Sequence, residues 1–291
     1  MPLFCRHNRL TQNCPICSRE LAAERRPSTP ARPRSGSGTR SGGGQRRAPG
    51  VTTRRFTRAA DDGYRNSLVP GLRATADAER LAAALGWADA RLEPPGPHPA
   101  LAEEPDREEA FWLAFLLALV PPGARELHEA IVASRPSWAS GEAPEIPGAD
   151  PRTVPAYRAW AQRAGTQAEG FLGEPGWSPE RRFGRAFERL ALPGLGRAAR
   201  YELLLALGAA GVCEVAADAL HIAKADDPTT LAAKRLLVSG DAMLLERRAA
   251  DLASACGIHL GALERGLAVW GESEGPDAEG PPAVRSALGL L

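Results

Sequence analysis

From about residue 61 onward, apolar residues recur at the three- and four-residue spacing of helices packed by one face, and no alternating strand-length segment stands between turn signals. Alanine and leucine are abundant, while β-branched and aromatic residues are sparse, which favours helix over strand. The pattern predicts helices near 74–92, 107–120, 124–135, 153–165, 178–191, 197–210, 229–238, 241–256 and 259–270. Some carry their own punctuation. Ser178-Pro179 offers an N-cap followed by proline at the first helical position, and Asp241 can cap a helix that stops at Gly257. The run Ala110–Val120 is apolar all round and closed by Pro121-Pro122; it is far shorter than the roughly 20 residues that span a bilayer, so it reads as a buried core helix. The expected fold is one all-α domain over 61–271 with a single core, followed by a Gly/Pro-rich acidic tail over 272–291.

The first sixty residues follow different rules. Cys5, His7, Cys14 and Cys17 are spaced C-x-H-x6-C-x2-C, three thiolates and an imidazole that suit tetrahedral zinc. The turn at Cys14-Pro15-Ile16-Cys17 brings two thiolates to one ion, whereas Cys5-x-His7 requires locally extended backbone. Four protein ligands leave no open coordination position, so the expected zinc is structural, in a knuckle over residues 1–20. An incidental cysteine cluster in a leader is the alternative. Residues 21–60 are mostly Arg, Gly, Ser, Thr and Pro, a composition that cannot bury enough surface to offset its ordering entropy, and they are expected to be a disordered linker.

Charge divides the chain at the same place. Residues 1–60 hold 13 Arg against only Glu20 and Glu24, leaving 23 basic and 33 acidic side chains for residues 61–291. A basic stalk beside a zinc knuckle points to DNA or RNA held through its phosphates. Only Cys213 and Cys256 lie outside the knuckle, too few for a disulfide scaffold. With no secretory leader pattern and no apolar span, a cytoplasmic protein without a membrane anchor is expected.

Within the helical region, residues 190–200 read Leu-Ala-Leu-Pro-Gly-Leu-Gly-Arg-Ala-Ala-Arg between two predicted helices. Glycines at 194 and 196 would let backbone amides at the start of the second helix approach a phosphate, with Arg197 and Arg200 adding charge. A plain helix C-cap and turn would use the same residues. This L-P-G-h-G segment resembles the helix-hairpin-helix motif of DNA glycosylases. In that superfamily a catalytic aspartate stands at a distance that Asp218 matches here, within Val215–Ile222. The lysine that bifunctional members carry after the hairpin is absent, since Arg197-Ala198-Ala199 follows, and so is the C-terminal four-cysteine cluster of some members.

A wider resemblance rests on the knuckle Cys5–Cys17, Trp177-Ser-Pro-Glu-Arg-Arg-Phe183, the hairpin, Asp227-Pro-Thr-Thr-Leu-Ala-Ala-Lys-Arg235, Gly240-Asp241 and Leu245-Glu-Arg-Arg248. Together these resemble the alpha-glutamyl/putrescinyl thymine pyrophosphorylase family, in particular its bacterial clade 3. The resemblance implies a glycosylase-like helical fold and a DNA substrate. It also implies a reaction in which a small amine replaces pyrophosphate on an activated hydroxymethyl-pyrimidine. Asp218 would then deprotonate or orient the amine, and His221 would orient Asp218. Lys234 and Arg235 would offer positive charge to the pyrophosphate or DNA, although neighbours on a helix point in different directions. A monofunctional glycosylase and a non-catalytic nucleic-acid adaptor are the competing readings. Trp112, Trp160 and Trp177 are candidates for stacking bases, or else core residues.

Overall fold

The structure, a computed structural model, describes residues 59–291 apart from residues 123, 223–226, 272–275 and 277. The expected zinc ligands Cys5, His7, Cys14 and Cys17 and nearly all of the basic linker lie outside the described residues. Among the described residues there is no strand, and twelve α-helices plus one 3₁₀ turn at Trp138–Ser140 make an all-α domain.

In chain order the helices are α1 (Thr75–Ala90), α2 (Pro99–Glu103), α3 (Arg107–Ala118), α4 (Arg125–Ser134), α5 (Thr153–Ala164) and α6 (Gln167–Leu172). They continue with α7 (Pro179–Arg189), α8 (Arg197–Ala209), α9 (Pro228–Leu237), α10 (Ala242–Cys256), α11 (Leu260–Trp270) and α12 (Pro282–Ala287). The nine helices expected from periodicity are all present, each within about two residues of its predicted ends.

The caps explain that agreement. Ser178 Oγ accepts from the Arg181 amide with Pro179 in the first turn of α7, and Asp241 Oδ1 accepts from the Leu244 amide at 2.8 Å to start α10. α10 stops where Gly257 turns left-handed. Three short helices were not expected from the sequence. α6 begins at a reciprocal capping box, in which Thr166 and Glu169 satisfy each other's backbone amides.

The expectation of one core needs correction. Buried apolar residues form two clusters. One is built by α2 through α8 around Trp112, Phe115, Tyr157 and Phe171. The other is built by α1 with α9 through α12 around Leu85, Leu252, Leu267 and Trp270. The first helix thus returns to pack with the last four, so the second cluster is assembled from both ends of the described chain. Helical periodicity shows which face is buried but not which partner covers it.

A second correction concerns the tail. Its final residues form α12, which buries Val284 and carries on to a buried Leu288 whose carbonyl accepts the Tyr64 hydroxyl at 2.6 Å. That stretch belongs to the domain. α3 is buried along Ala110–Ala118 as expected, and no helix among the described residues is long and apolar enough to cross a membrane. Cys213 and Cys256 are both buried as free thiols, and burial pushes each up to about 11.

The seam between the clusters is ionic. Arg197, at the start of α8, donates Nε and Nη2 to the two oxygens of Asp227 at 2.8 Å and Nη2 also to Glu264 Oε1 at 2.7 Å. Nearby, Arg265 of α11 pairs with Glu202 of α8. Asp227 also caps α9 through the Thr230 amide. One guanidinium therefore ties α8 to the N-terminus of α9 and to α11.

Candidate acid–base pair on the helical hairpin

The two helices of the hairpin are α7 and α8, joined by Leu190–Gly196. Gly194 adopts φ +76°, and a Cβ there would stand 2.0 Å from Thr153 Oγ1 and 2.6 Å from Asp150 Cβ. Both backbone conformation and close packing against the start of α5 demand glycine. Gly196 differs. It precedes α8 in extended conformation, and a Cβ there would meet nothing within 4 Å, so the face beside the first amides of α8 is open.

The segment 214–222 runs across α7 and α8 without regular structure, so its backbone groups need partners from elsewhere. The Ala216 amide donates to Pro179 O, the Tyr201 hydroxyl donates to Ala219 O, and Arg197 Nη1 donates to Leu220 O. Glu246 of α10 receives the amides of Leu220 at 2.7 Å and Ile222 at 2.5 Å on its two oxygens. Between those two anchored amides His221 is held at φ +53°. A non-glycine residue in that region costs about 1–3 kcal/mol and persists only where its surroundings enforce it.

The consequence of that conformation is a contact. His221 Nε2 lies 2.7 Å from Asp218 Oδ1, with the two side chains 19% and 33% exposed. The imidazole stacks on Phe187 at 4.1 Å between ring centres, tilted by 14°, with Phe183 and Tyr201 close by. Arg200 also lies over the Phe187 ring and donates to the Phe187 carbonyl. Asp218 in turn rests on α7 at Gly184, where a Cβ would come within 2.5 Å of Oδ2. A carboxylate and an imidazole, hydrogen-bonded, oriented and open to solvent, can take a proton from a bound nucleophile or return one to it.

The sequence candidates thus separate. Asp218 and His221 are brought together as expected. Arg197 is not available to DNA: its side chain is 5% exposed, and it is saturated by Asp227, Glu264 and Leu220 O. Burial works against its charge, but the hydrogen bonds and charges of Asp227 and Glu264 outweigh that and raise its pKa. Arg200 is half-buried against Phe187. Lys234 and Arg235 stand in the last turn of α9, about 10 Å along its axis from the end that meets Arg197. Trp112 and Trp160 are core, the former donating Nε1 to Pro136 O.

Trp177 is the tryptophan of the three that is only half-buried, with Arg181 and Arg189 over its ring. Those two arginines and Arg185 are exposed at four-residue spacing along α7, beside the glycine on which Asp218 rests. Sequence reasoning missed this stripe, although the i, i+4, i+8 spacing of Arg181, Arg185 and Arg189 is visible in the chain. Among the described residues no group of three or more His, Cys, Asp or Glu side chains is placed to hold a metal.

The class of protein is thereby an all-α domain that presents an Asp–His pair beside a helical hairpin and an arginine stripe. Compared against protein-family models, characterised proteins and solved structures, the chain matches none of them.

Proposed function

We propose that this chain is a DNA-base-modifying enzyme resembling the alpha-glutamyl/putrescinyl thymine pyrophosphorylases, with a helix-hairpin-helix glycosylase-like domain that carries the chemistry. The observation that supports this most is the 2.7 Å contact between Asp218 and His221, held by an enforced backbone conformation next to the hairpin.

In the proposed reaction the nitrogen of a small amine attacks the exocyclic carbon of a pyrophosphorylated hydroxymethyl-pyrimidine. The C–N bond forms as the C–O bond breaks, and pyrophosphate leaves with the electron pair. The proton lost by the amine passes to Asp218 or His221 and then to water. The base must leave the stack for its exocyclic carbon to be reached. Gly196 with the open first turn of α8, and Arg181, Arg185 and Arg189 on α7, would hold the phosphates. Arg197 holds the fold instead of the DNA. Cys5, His7, Cys14 and Cys17 would bind one structural zinc and, with the basic stalk, add grip that is sensitive to salt.

The test compares wild type with Asp218→Asn on two substrates. Amine-dependent release of pyrophosphate from a pyrophosphorylated hydroxymethyl-uracil oligonucleotide, abolished in the variant while DNA binding persists, supports the transferase. Abasic-site formation on a damaged-base panel would instead make this a monofunctional glycosylase, with Asp218 activating water. DNA binding with neither reaction would make it a non-catalytic adaptor.

A further inference from the structure

Which member of the Asp218–His221 pair takes up a proton is decided by which of their atoms are already engaged. An ionised carboxylate can only accept hydrogen bonds. The 2.7 Å contact between His221 Nε2 and Asp218 Oδ1 therefore places the hydrogen of the neutral imidazole on Nε2 and leaves the lone pair on Nδ1. Asp218 thus selects the tautomer as well as the direction of the ring.

Nδ1 is free to use that lone pair. Among the described residues the contact with Asp218 is the one hydrogen bond of the ring, and Nδ1 is not one of the polar atoms closed off from solvent without a partner. In a side chain that is 19% exposed, this nitrogen keeps its access to solvent. Phe187 covers a face of the ring at 4.1 Å, and Glu246 holds the amides of Leu220 and Ile222 on either side. The ring is held while its Nδ1 edge stays open.

The other ionisable groups around the ring are committed elsewhere. Glu246 of α10 carries an amide on each oxygen. On α8, the Tyr201 hydroxyl donates to Ala219 O and burial raises its pKa, Arg197 is saturated, and Arg200 donates to Phe187 O. Glu180, in the first turn of α7, feels the charge of Asp218, but hydrogen bonds from its own amide and from Ser178 hold it below the ordinary carboxylate range. Asp218 itself is the rival. A carboxylate is ordinarily a weaker base than an imidazole by about 400-fold. A general base works best when its pKa lies near the working pH, which favours the ring.

We propose that the base is His221, acting through Nδ1, and that Asp218 is a positioning residue that fixes the ring tautomer and balances the imidazolium that forms. This assignment rests on the transfer reaction proposed above. The amine lone pair forms the C–N bond, the C–O electron pair departs with pyrophosphate, and the N–H proton moves to Nδ1. The imidazolium then releases that proton from Nδ1 to water. Asp218 Oδ1 stays on the Nε2 hydrogen throughout and is never protonated.

One arm of the test needs no substrate. Imidazole nitrogen NMR of the full chain, above the pH at which His221 titrates, should show a protonated Nε2 and a bare Nδ1. Asp218→Asn, whose amide can donate as well as accept, should move part of the population to the Nδ1–H form. The second arm is turnover on the pyrophosphorylated oligonucleotide. His221→Gln should lower amine-dependent pyrophosphate release by at least about 100-fold, and free imidazole should restore His221→Gly in a saturable way. The acid limb of wild-type kcat/KM should follow the His221 titration seen by NMR. Hydrogen-exchange protection of the Leu220 and Ile222 amides in each variant shows that the segment is in place. Release in His221→Gln within about tenfold of wild type, or a neutral ring protonated on Nδ1, would overturn the assignment and leave the transferase standing. No release from wild type, with the NMR pattern intact, would overturn the reaction and leave the tautomer.

Discussion

Replacing Arg197 by methionine separates two roles that the same side chain could play. As a phosphate contact at the tip of a hairpin it would be exposed, and its loss would change stability by no more than about 0.5 kcal/mol. In the structure it is buried and makes four hydrogen bonds, two to Asp227, one to Glu264 and one to Leu220 O. Methionine keeps much of the volume but leaves Glu264 fully inside without its countercharge and Asp227 half-buried beside it. Removing one partner of a buried ion pair costs about 3–5 kcal/mol, a large part of the roughly 5–15 kcal/mol that holds a domain together. The assay is urea denaturation of wild type, Arg197→Met, Glu264→Gln and the double variant. Because Glu264→Gln removes the stranded carboxyl, the double variant should recover about 1–3 kcal/mol relative to simple addition of the two single costs. A cost below about 1 kcal/mol for Arg197→Met, or strict additivity in the cycle, would refute the hub.

Other outcomes rest on neighbouring groups. Burial alone would raise Glu202, but Arg265 and His98 hold it down to about 2 against an ordinary value of 4.5, so its folded pKa is depressed. Its contribution to stability is therefore complete above pH 4.5 and lost as pH falls towards 2; Glu202→Gln should flatten that part of the urea-midpoint profile. Gly184→Ala should leave helix α7 as stable or up to about 1 kcal/mol more so, while its new methyl displaces the Asp218 carboxylate; unchanged His221 imidazole NMR signals would refute that contact. Glu246→Ala should strip hydrogen-exchange protection from the Leu220 and Ile222 amides, at a cost of about 1–3 kcal/mol in urea. Metal analysis of the full chain should find one zinc per molecule, lost in Cys14→Ser; a metal-free chain purified without chelator would remove the knuckle.

Nine helices could be read from the sequence because each has an apolar face repeating at helical spacing, buried in eight of them and only half-buried in α4 at Leu127 and Ile131, and several have caps of fixed chemistry, such as Ser178 and Asp241. The Thr166-x-x-Glu169 capping box was equally visible, but it opens a helix of six residues, too short for periodicity to register. α12 was hidden differently. Val284 and Leu288 are four residues apart on one face, yet the Gly/Pro-rich stretch before them suggested a tail, and packing against α10 and α1 makes them core.

The site was half legible for a related reason. Asp218 and His221 are three residues apart in sequence, so their meeting needed only a local backbone conformation, and that conformation is enforced by Glu246, 24 residues beyond Ile222. Arg197 was misread because a residue's place in a motif does not say which way its side chain turns; Asp227 and Glu264, 30 and 67 residues on, turn it inward. The same guanidinium reaches Leu220 O beside the acid–base pair and Glu264 of α11. Loss of activity in an Arg197 variant therefore says nothing about phosphate contact, since it disturbs the segment that carries Asp218 at the same time. Arg181, Arg185 and Arg189 carry no such burden. Replacing them singly should weaken DNA binding and shallow its salt dependence by about one unit of slope each, with the fold and the Asp218–His221 contact left intact.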